Sequence, residues 1–174
     1  MIVFTILGIG ATQVGIGFIV LTAGYVKRNP ALRKAGCAVL ATCFGALLFS
    51  SFAKVFCERP RPLLLLFDVR LPDNVLFIRS FPSGHTAIAF AAGTMWAAII
   101  PKMRWVFFAV AGLVGFSRVY LGVHFPFDVL YGAVLGTVVS VYVARMFGYS
   151  TKQRRESEPV GNYEEPPCLA SKSG

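Results

Sequence analysis

Five apolar segments, separated by short basic turns and one longer polar loop, constrain this chain more than any other feature. They run from Ile2 to Tyr25, Ala35 to Ala53, Ser83 to Ile100, Trp105 to Leu121 and Phe127 to Phe147. Each is near the roughly 20 residues that a helix needs to cross a bilayer. A helix satisfies its backbone hydrogen bonds without water, which the hydrocarbon core demands. The expected fold is an all-α integral membrane protein, a five-transmembrane-helix bundle with a long outward-facing loop between helices two and three. Composition agrees: of 174 residues, 56% are apolar and 14% charged, with a mean hydropathy of +0.66. A soluble domain of ordinary composition is less apolar and more charged.

Residues 1–147 read as one membrane-embedded domain. Residues 148–174 form a polar tail with three prolines, too poor in apolar surface to fold alone, and a flexible cytoplasmic extension is expected. Met1 leads directly into an apolar run with no basic stretch before it, so that run reads as a retained first span, not a cleaved signal. Gly8, Gly10, Gly15 and Gly17 in it suit close helix contact, and Gln13 suits a hydrogen bond to a neighbouring helix.

The net charge of +9 on so few charged residues fits basic ends and loops of a membrane protein. A nucleic-acid partner would need clustered Lys and Arg on a soluble face, which the sequence lacks. Cys37, Cys43, Cys57 and Cys168 have neither CxxC nor His-paired spacing and read as small hydrophobes, so neither metal nor cofactor is expected.

Basic residues set the orientation. Lys27, Arg28, Arg33, Lys34, Lys102, Arg104 and Arg145 fall on one side with the tail, and that more basic side is expected to be cytoplasmic. The N-terminus and the long loop then face the exterior, in a multi-pass protein of the inner (plasma) membrane.

Alternating spans bring the end of span two to the start of span three, and the end of span four to the start of span five. Those four ends carry Lys54, Ser83-Gly84-His85, Ser117-Arg118, and His124 with Asp128, including both histidines of the chain. Charge at the edge of a membrane segment is costly unless it is paired or used. Lys54, Arg61 and Arg118 offer fixed positive charge, and the guanidinium fork suits phosphate oxygens. The start of a helix at Pro82-Ser83-Gly84-His85 adds free N–H groups and the positive dipole end, with Gly84 allowing close approach and Ser83 a hydroxyl donor. His124 with Asp128 four residues on fits a nucleophile and its orienting carboxylate, and His85 fits a general acid. Taken singly, each has a plainer reading: Lys54 as a snorkelling span end, Arg118 as a carbonyl cap, His124–Asp128 as a structural pair. Arg59, Arg70 and Arg79 read as charges facing lipid headgroups.

Lys54-x6-Arg61-Pro62, Pro82-Ser83-Gly84-His85 and Ser117-Arg118-x5-His124-x3-Asp128 together resemble the three-part signature of the type-2 phosphatidic acid phosphatase superfamily. The resemblance covers Lys54 to Gly136 and lacks no member. It implies a metal-independent phosphatase with a phosphohistidine intermediate. His124 would be the nucleophile, Asp128 its orienting partner and His85 the acid for the leaving group. Lys54, Arg61, Ser83, Gly84 and Arg118 would hold the phosphoryl oxygens. Many membrane members of that superfamily have six spans where five are counted here, and its soluble haloperoxidases are excluded by the apolar segments.

The expected partners are the bilayer and a membrane lipid phosphate. Candidate substrates are lipid A 1-phosphate, phosphatidylglycerol phosphate, undecaprenyl diphosphate and phosphatidic acid, with small size and low span count pointing to the lipid A 1-phosphatase branch. Leu63 to Phe67 reads either as an interfacial loop or as cover over the bundle. A catalytically idle relative that moves lipids is the non-enzymatic alternative. Gly132-x3-Gly136 fits a helix-contact motif and is expected to pack within the chain.

Overall fold

The computed structural model describes residues 10–57, 59–62 and 79–149. Among them are five α-helices: α1 (Gly10–Val26), α2 (Pro30–Phe56), α3 (Gly84–Ile99), α4 (Arg104–Tyr120) and α5 (Pro126–Met146). A short 3-10 turn, Pro101–Met103, joins α3 to α4, and no strand is present among the described residues. Pro30–Phe56, Pro101–Tyr120 and Pro126–Met146 are long and apolar enough to cross a membrane. The described part of α1 and the 16-residue α3 are shorter, spanning about 24–26 Å at the usual helical rise. Residues 2–9 of the expected first span, the Leu63–Phe67 stretch, Arg70, Cys168 and the tail beyond 149 lie outside the described residues.

Helix α2 is longer than its apolar core suggests, because its ends are well specified. The Asn29 side chain accepts from the N–H groups of Ala31 and Leu32, and Pro30 occupies the first helical position. Its last turn carries Lys54, and the Arg79 guanidinium donates to the carbonyls of Lys54 and Val55 at 2.7 and 3.0 Å. Arg79 therefore closes a helix end and does not simply face headgroups. The two ends of the loop between α2 and α3 meet at a bridge between Pro60 and Arg79, beside a Ser80 N–H donating to the Arg59 carbonyl at 2.8 Å.

Helix α3 is the hub, and its small side chains explain why. Ala87, Ala91 and Ala92 are fully or almost fully buried, so α2, α4 and α5 all approach it closely. Ile88, Ala91, Ala92 and Met95 join Ala38, Val39, Cys43 and Ala46 of α2 and Ala144 of α5 in the main core. On the α5 side, Gly132 and Gly136 lie against the Ser83 and Ala87 carbonyls, leaving no room for a Cβ. The GxxxG pair thus packs within the chain, as expected.

Helix α1 leans on α2. Gly17 meets Leu40, but the tightest approaches are Gly24 on the Arg33 backbone and Gly36 on Leu21, while Gly15 touches nothing. Cys43 is buried, but Cys37 is exposed, so the reading of the cysteines as small core residues holds for only one of that pair. Phe18, Phe44, Phe52, Trp105, Val138 and Tyr142 project outward, as lipid-facing side chains do when helices pack polar groups inward.

Candidate active site

The last turn of α4 and the first turn of α5 form the site's base. Gly122, at φ 65°, ends α4 with the Gly122 N–H donating to the Val119 carbonyl and the Val123 N–H to the Arg118 carbonyl. That left-handed cap needs a residue without a Cβ penalty. It turns the chain back at once, so that His124 lies two residues beyond a turn anchored on Arg118. Pro126 then starts α5, and the Asp128 carboxylate accepts from the Phe125 N–H at 2.9 Å through Oδ2.

Arg118 and His124 are nearly inaccessible, and Asp128 is fully buried. Ser117 Oγ donates to the Val114 carbonyl at 2.7 Å and accepts from Arg118 Nε and Nη2 at 3.3 Å, which aims the guanidinium. The start of α3 is seated on α5 by the Ser83 N–H, which donates to the Asp128 carbonyl at 3.1 Å. Ser83 Oγ is paired with Thr86 Oγ1 at 2.9 Å and is buried. Its hydroxyl thus shares a hydrogen bond within the first turn of α3, in which either oxygen can be the donor. A Cβ on Gly84 would stand 4.0 Å from Lys54 Nζ and 3.8 Å from Ser50 Oγ, so the Lys54 ammonium lies beside the start of α3.

The expected set is brought together. His85 feels Arg118, Lys54 and Arg61 electrostatically, and His124 feels Arg61, Lys54 and His85. Burial pushes His124 down from the ordinary 6.5 to about 3, helped by Arg61, Lys54 and His85 and opposed by a backbone interaction with Ser80. Burial also lowers Arg61, which stays far above neutrality in any protein. Among the described residues Asp128 is the single acidic side chain. The region as a whole is therefore strongly positive, with a neutral imidazole at its centre.

Asp128 faces His124 as the i, i+4 spacing suggests, but without a hydrogen bond between them. Its Oδ2 stands 3.8 Å from His124 Nδ1, beyond hydrogen-bonding distance, and that nitrogen is buried without a hydrogen-bond partner. The other carboxylate oxygen accepts from Arg59 Nη1 at 3.1 Å. Arg59 was expected among headgroup-facing charges, and nothing in its spacing signals an ion pair across 69 residues of sequence.

A cavity of about 660 Å³ opens beside Lys54, Gly84 and His85 and extends between α1, α2 and α3. Past Ser50 and Ser51 its walls are apolar, formed by Leu47, Phe44, Leu40, Val14, Phe18 and Ile88. One end is thus cationic and the rest suits hydrocarbon.

Known proteins resemble this chain in fold and sequence. A crystal structure of LpxE from Aquifex aeolicus superposes with a TM-score of 0.62 at 32% identity, covering 82% of this chain and 81% of that one. The undecaprenyl-diphosphatase of Sulfolobus acidocaldarius is 31% identical over 62% of this chain and 53% of its own. The lipid A 1-phosphatase of Rhizobium johnstonii is 38% identical over 39% of this chain and 28% of its own. The chain thus matches about half or less of the length of these curated relatives. The family model for the PAP2 superfamily matches residues 35–152, from the second apolar segment past the end of α5. With membrane-length helices and a site assembled from all three motifs, the chain is a membrane protein belonging to the PAP2 superfamily.

Proposed function

We propose that this protein is a metal-independent lipid phosphatase that works through a phosphohistidine. The observation that carries this reading is the gathering of His124 and His85 with Lys54, Arg61 and Arg118 in one electrostatic cluster, of which Lys54 and His85 also line the cationic end of a largely apolar cavity. Lys54, Arg61 and Arg118 hold the phosphoryl oxygens, together with backbone N–H groups at the start of α3 around Ser83 and Gly84. Phosphoryl transfer asks mainly for such positioning and charge stabilisation.

The neutral His124 attacks phosphorus. A P–N bond forms as the bond to the leaving oxygen breaks, and His85 delivers its proton to that oxygen. Asp128 offsets the positive charge that develops on the His124 ring. His85, now neutral, takes a proton from water, whose oxygen attacks phosphorus and breaks the P–N bond, releasing phosphate. His124 and His85 then stand as they began.

The apolar cavity favours a substrate with a hydrocarbon chain, its phosphate at Lys54 and its tail between α1 and α2. Lipid A 1-phosphate and phosphatidylglycerol phosphate are the preferred substrates, with undecaprenyl diphosphate and phosphatidic acid as alternatives. The bundle crosses the membrane five times with the site on the outer, periplasmic face and the C-terminus in the cytoplasm.

Phosphate release from these four lipids by the purified protein, in detergent with a chelator present, tests the reading. Release that is lost in His124→Ala supports it. Activity undiminished in that variant overturns the mechanism. No release, with movement of labelled lipid between leaflets of a vesicle, would establish the idle lipid-moving alternative instead.

A further inference from the structure

We propose that Arg59, which lies outside the three motifs, is a positioning residue for the transfer step and acts on His124 through Asp128 and Phe125. This inference rests on the phosphatase reading above. The Asp128 carboxylate is fully shielded from water, and a buried carboxylate is costly unless both oxygens find partners. The Phe125 N–H serves Oδ2, and the Arg59 guanidinium serves Oδ1.

Arg59 is itself restrained on three sides. Its guanidinium lies over the Phe125 ring, 4.2 Å from the centroid, a favourable arrangement for a cation and a π face. Its carbonyl takes the Ser80 N–H, and its neighbour Pro60 bridges to Arg79. Phe125 directly follows His124 in the chain. One arginine therefore grips both the carboxylate facing the nucleophile and the residue beside the nucleophile.

The consequence is electrostatic as well as geometric. With its charge shared by Arg59, Asp128 at 3.8 Å does not draw a proton onto His124, and the ring stays a neutral nucleophile. The other groups that face His124 are Lys54 from α2, Arg61 from the loop and His85 from α3. Arg118 of α4 acts on Arg61 and His85. None of these can raise the titration of His124; the Ser80 backbone does so, and Asp128 is the single acidic side chain among the described residues that can add to that upward pull. Arg59 restrains that pull.

The test uses the full-length protein in detergent, with Arg59→Ala, Arg59→Lys, Asp128→Asn and the Arg59→Ala/Asp128→Asn double variant. Arg59→Ala is expected to lower kcat by about 10- to 100-fold, the scale for groups that orient a catalytic side chain, while KM changes little. In ¹⁵N-histidine NMR its His124 titration should move upward; with two histidines in the chain, His85→Gln assigns the signals. Arg59→Lys should restore most of kcat. In the Asp128→Asn background, Arg59→Ala should add no further loss, since both changes remove one unit of function. An unmoved His124 titration, or a full additional loss in the double variant, overturns the proposal. So does a lowered Tm in Arg59→Ala with kcat per folded molecule unchanged. The titration needs no substrate: wild-type protein that releases phosphate from none of the lipids overturns the phosphatase reading, and the titration still decides the Arg59–Asp128–His124 coupling.

Discussion

Gly132 of α5 lies so close beneath the Ser83 carbonyl that a Cβ built on it would come within 2.7 Å of that oxygen. One turn earlier on α5, the Asp128 carbonyl accepts the Ser83 N–H. The two contacts lock the start of α3, which carries His85, onto the helix that presents Asp128. Backbone cannot yield to a new methyl group as a flexible side chain can. Gly132→Ala is therefore expected to cost about 1–3 kcal/mol, the range for overpacking a tight contact. Its kcat/KM should fall further than the lost stability explains, because the two halves of the site shift apart. Thermal unfolding and phosphate release on the same preparation check this, and wild-type kcat/KM in a folded Gly132→Ala would show that the site tolerates the shift.

The proposed acid is separable from the nucleophile by changing the leaving group. Loss of a general acid typically costs about 10²- to 10⁴-fold, but a leaving group that departs without a proton needs none. His85→Ala should be severely slowed on a lipid phosphate and much less so on a nitrophenyl phosphate, whereas His124→Ala should be inactive on both. Equal losses for His85→Ala on the two substrates would remove His85 from that role.

Much of this was legible in the sequence because membrane segments and phosphate chemistry leave strong local signals. The five helices fall close to the apolar runs, and Lys54, Arg61, His85, Arg118 and His124 share one electrostatic site as the alternation of spans implied. What was not legible depends on tertiary contacts. The Arg59–Asp128 pair and the Arg79 cap on α2 join residues whose spacing carries no period. The pairing of the Ser83 hydroxyl with Thr86 is a further contact that the identity of Ser83 does not reveal. The expected His124–Asp128 hydrogen bond failed to close because an i, i+4 spacing places two side chains near each other without deciding which partner wins. Here Arg59 and the Phe125 N–H take the carboxylate.

The depressed titration of His124 makes stability depend on pH in a defined direction. Between about 3 and 6.5 the unfolded chain holds a proton that the folded His124 does not. The unfolded state then binds more protons, so stability rises with pH across that window and is fully present above it. Tm measured in detergent should climb from pH 4 to pH 6.5, and His124→Gln should remove part of the slope. Removing the positive neighbour has the opposite sign for the ring. Arg61→Met should move the His124 titration upward and carry the acid limb of kcat/KM with it, as NMR and a pH–rate profile would record. A His124 that titrates near 6.5 in the wild type would contradict the buried, neutral ring.

The proposed orientation is testable with one pair of positions in loops expected on opposite sides of the membrane. Lys102 is exposed at the 3-10 turn between α3 and α4, whereas Asp73 falls in the loop whose ends meet beside the site. Basic residues gather at the Lys102 end: Arg33 and Lys34 at the start of α2 reach Tyr25 and Tyr149, and Arg104 covers Trp105. A preference of basic loops for the cytoplasm then puts Lys102 inside and Asp73 outside. In a variant cleared of native cysteines, a membrane-impermeant thiol reagent should label Asp73→Cys in intact cells and Lys102→Cys only after permeabilisation. The reverse pattern would invert the bundle and place phosphate release on the cytoplasmic side. Labelling of both positions from outside would break the alternation of spans on which the five-crossing arrangement depends.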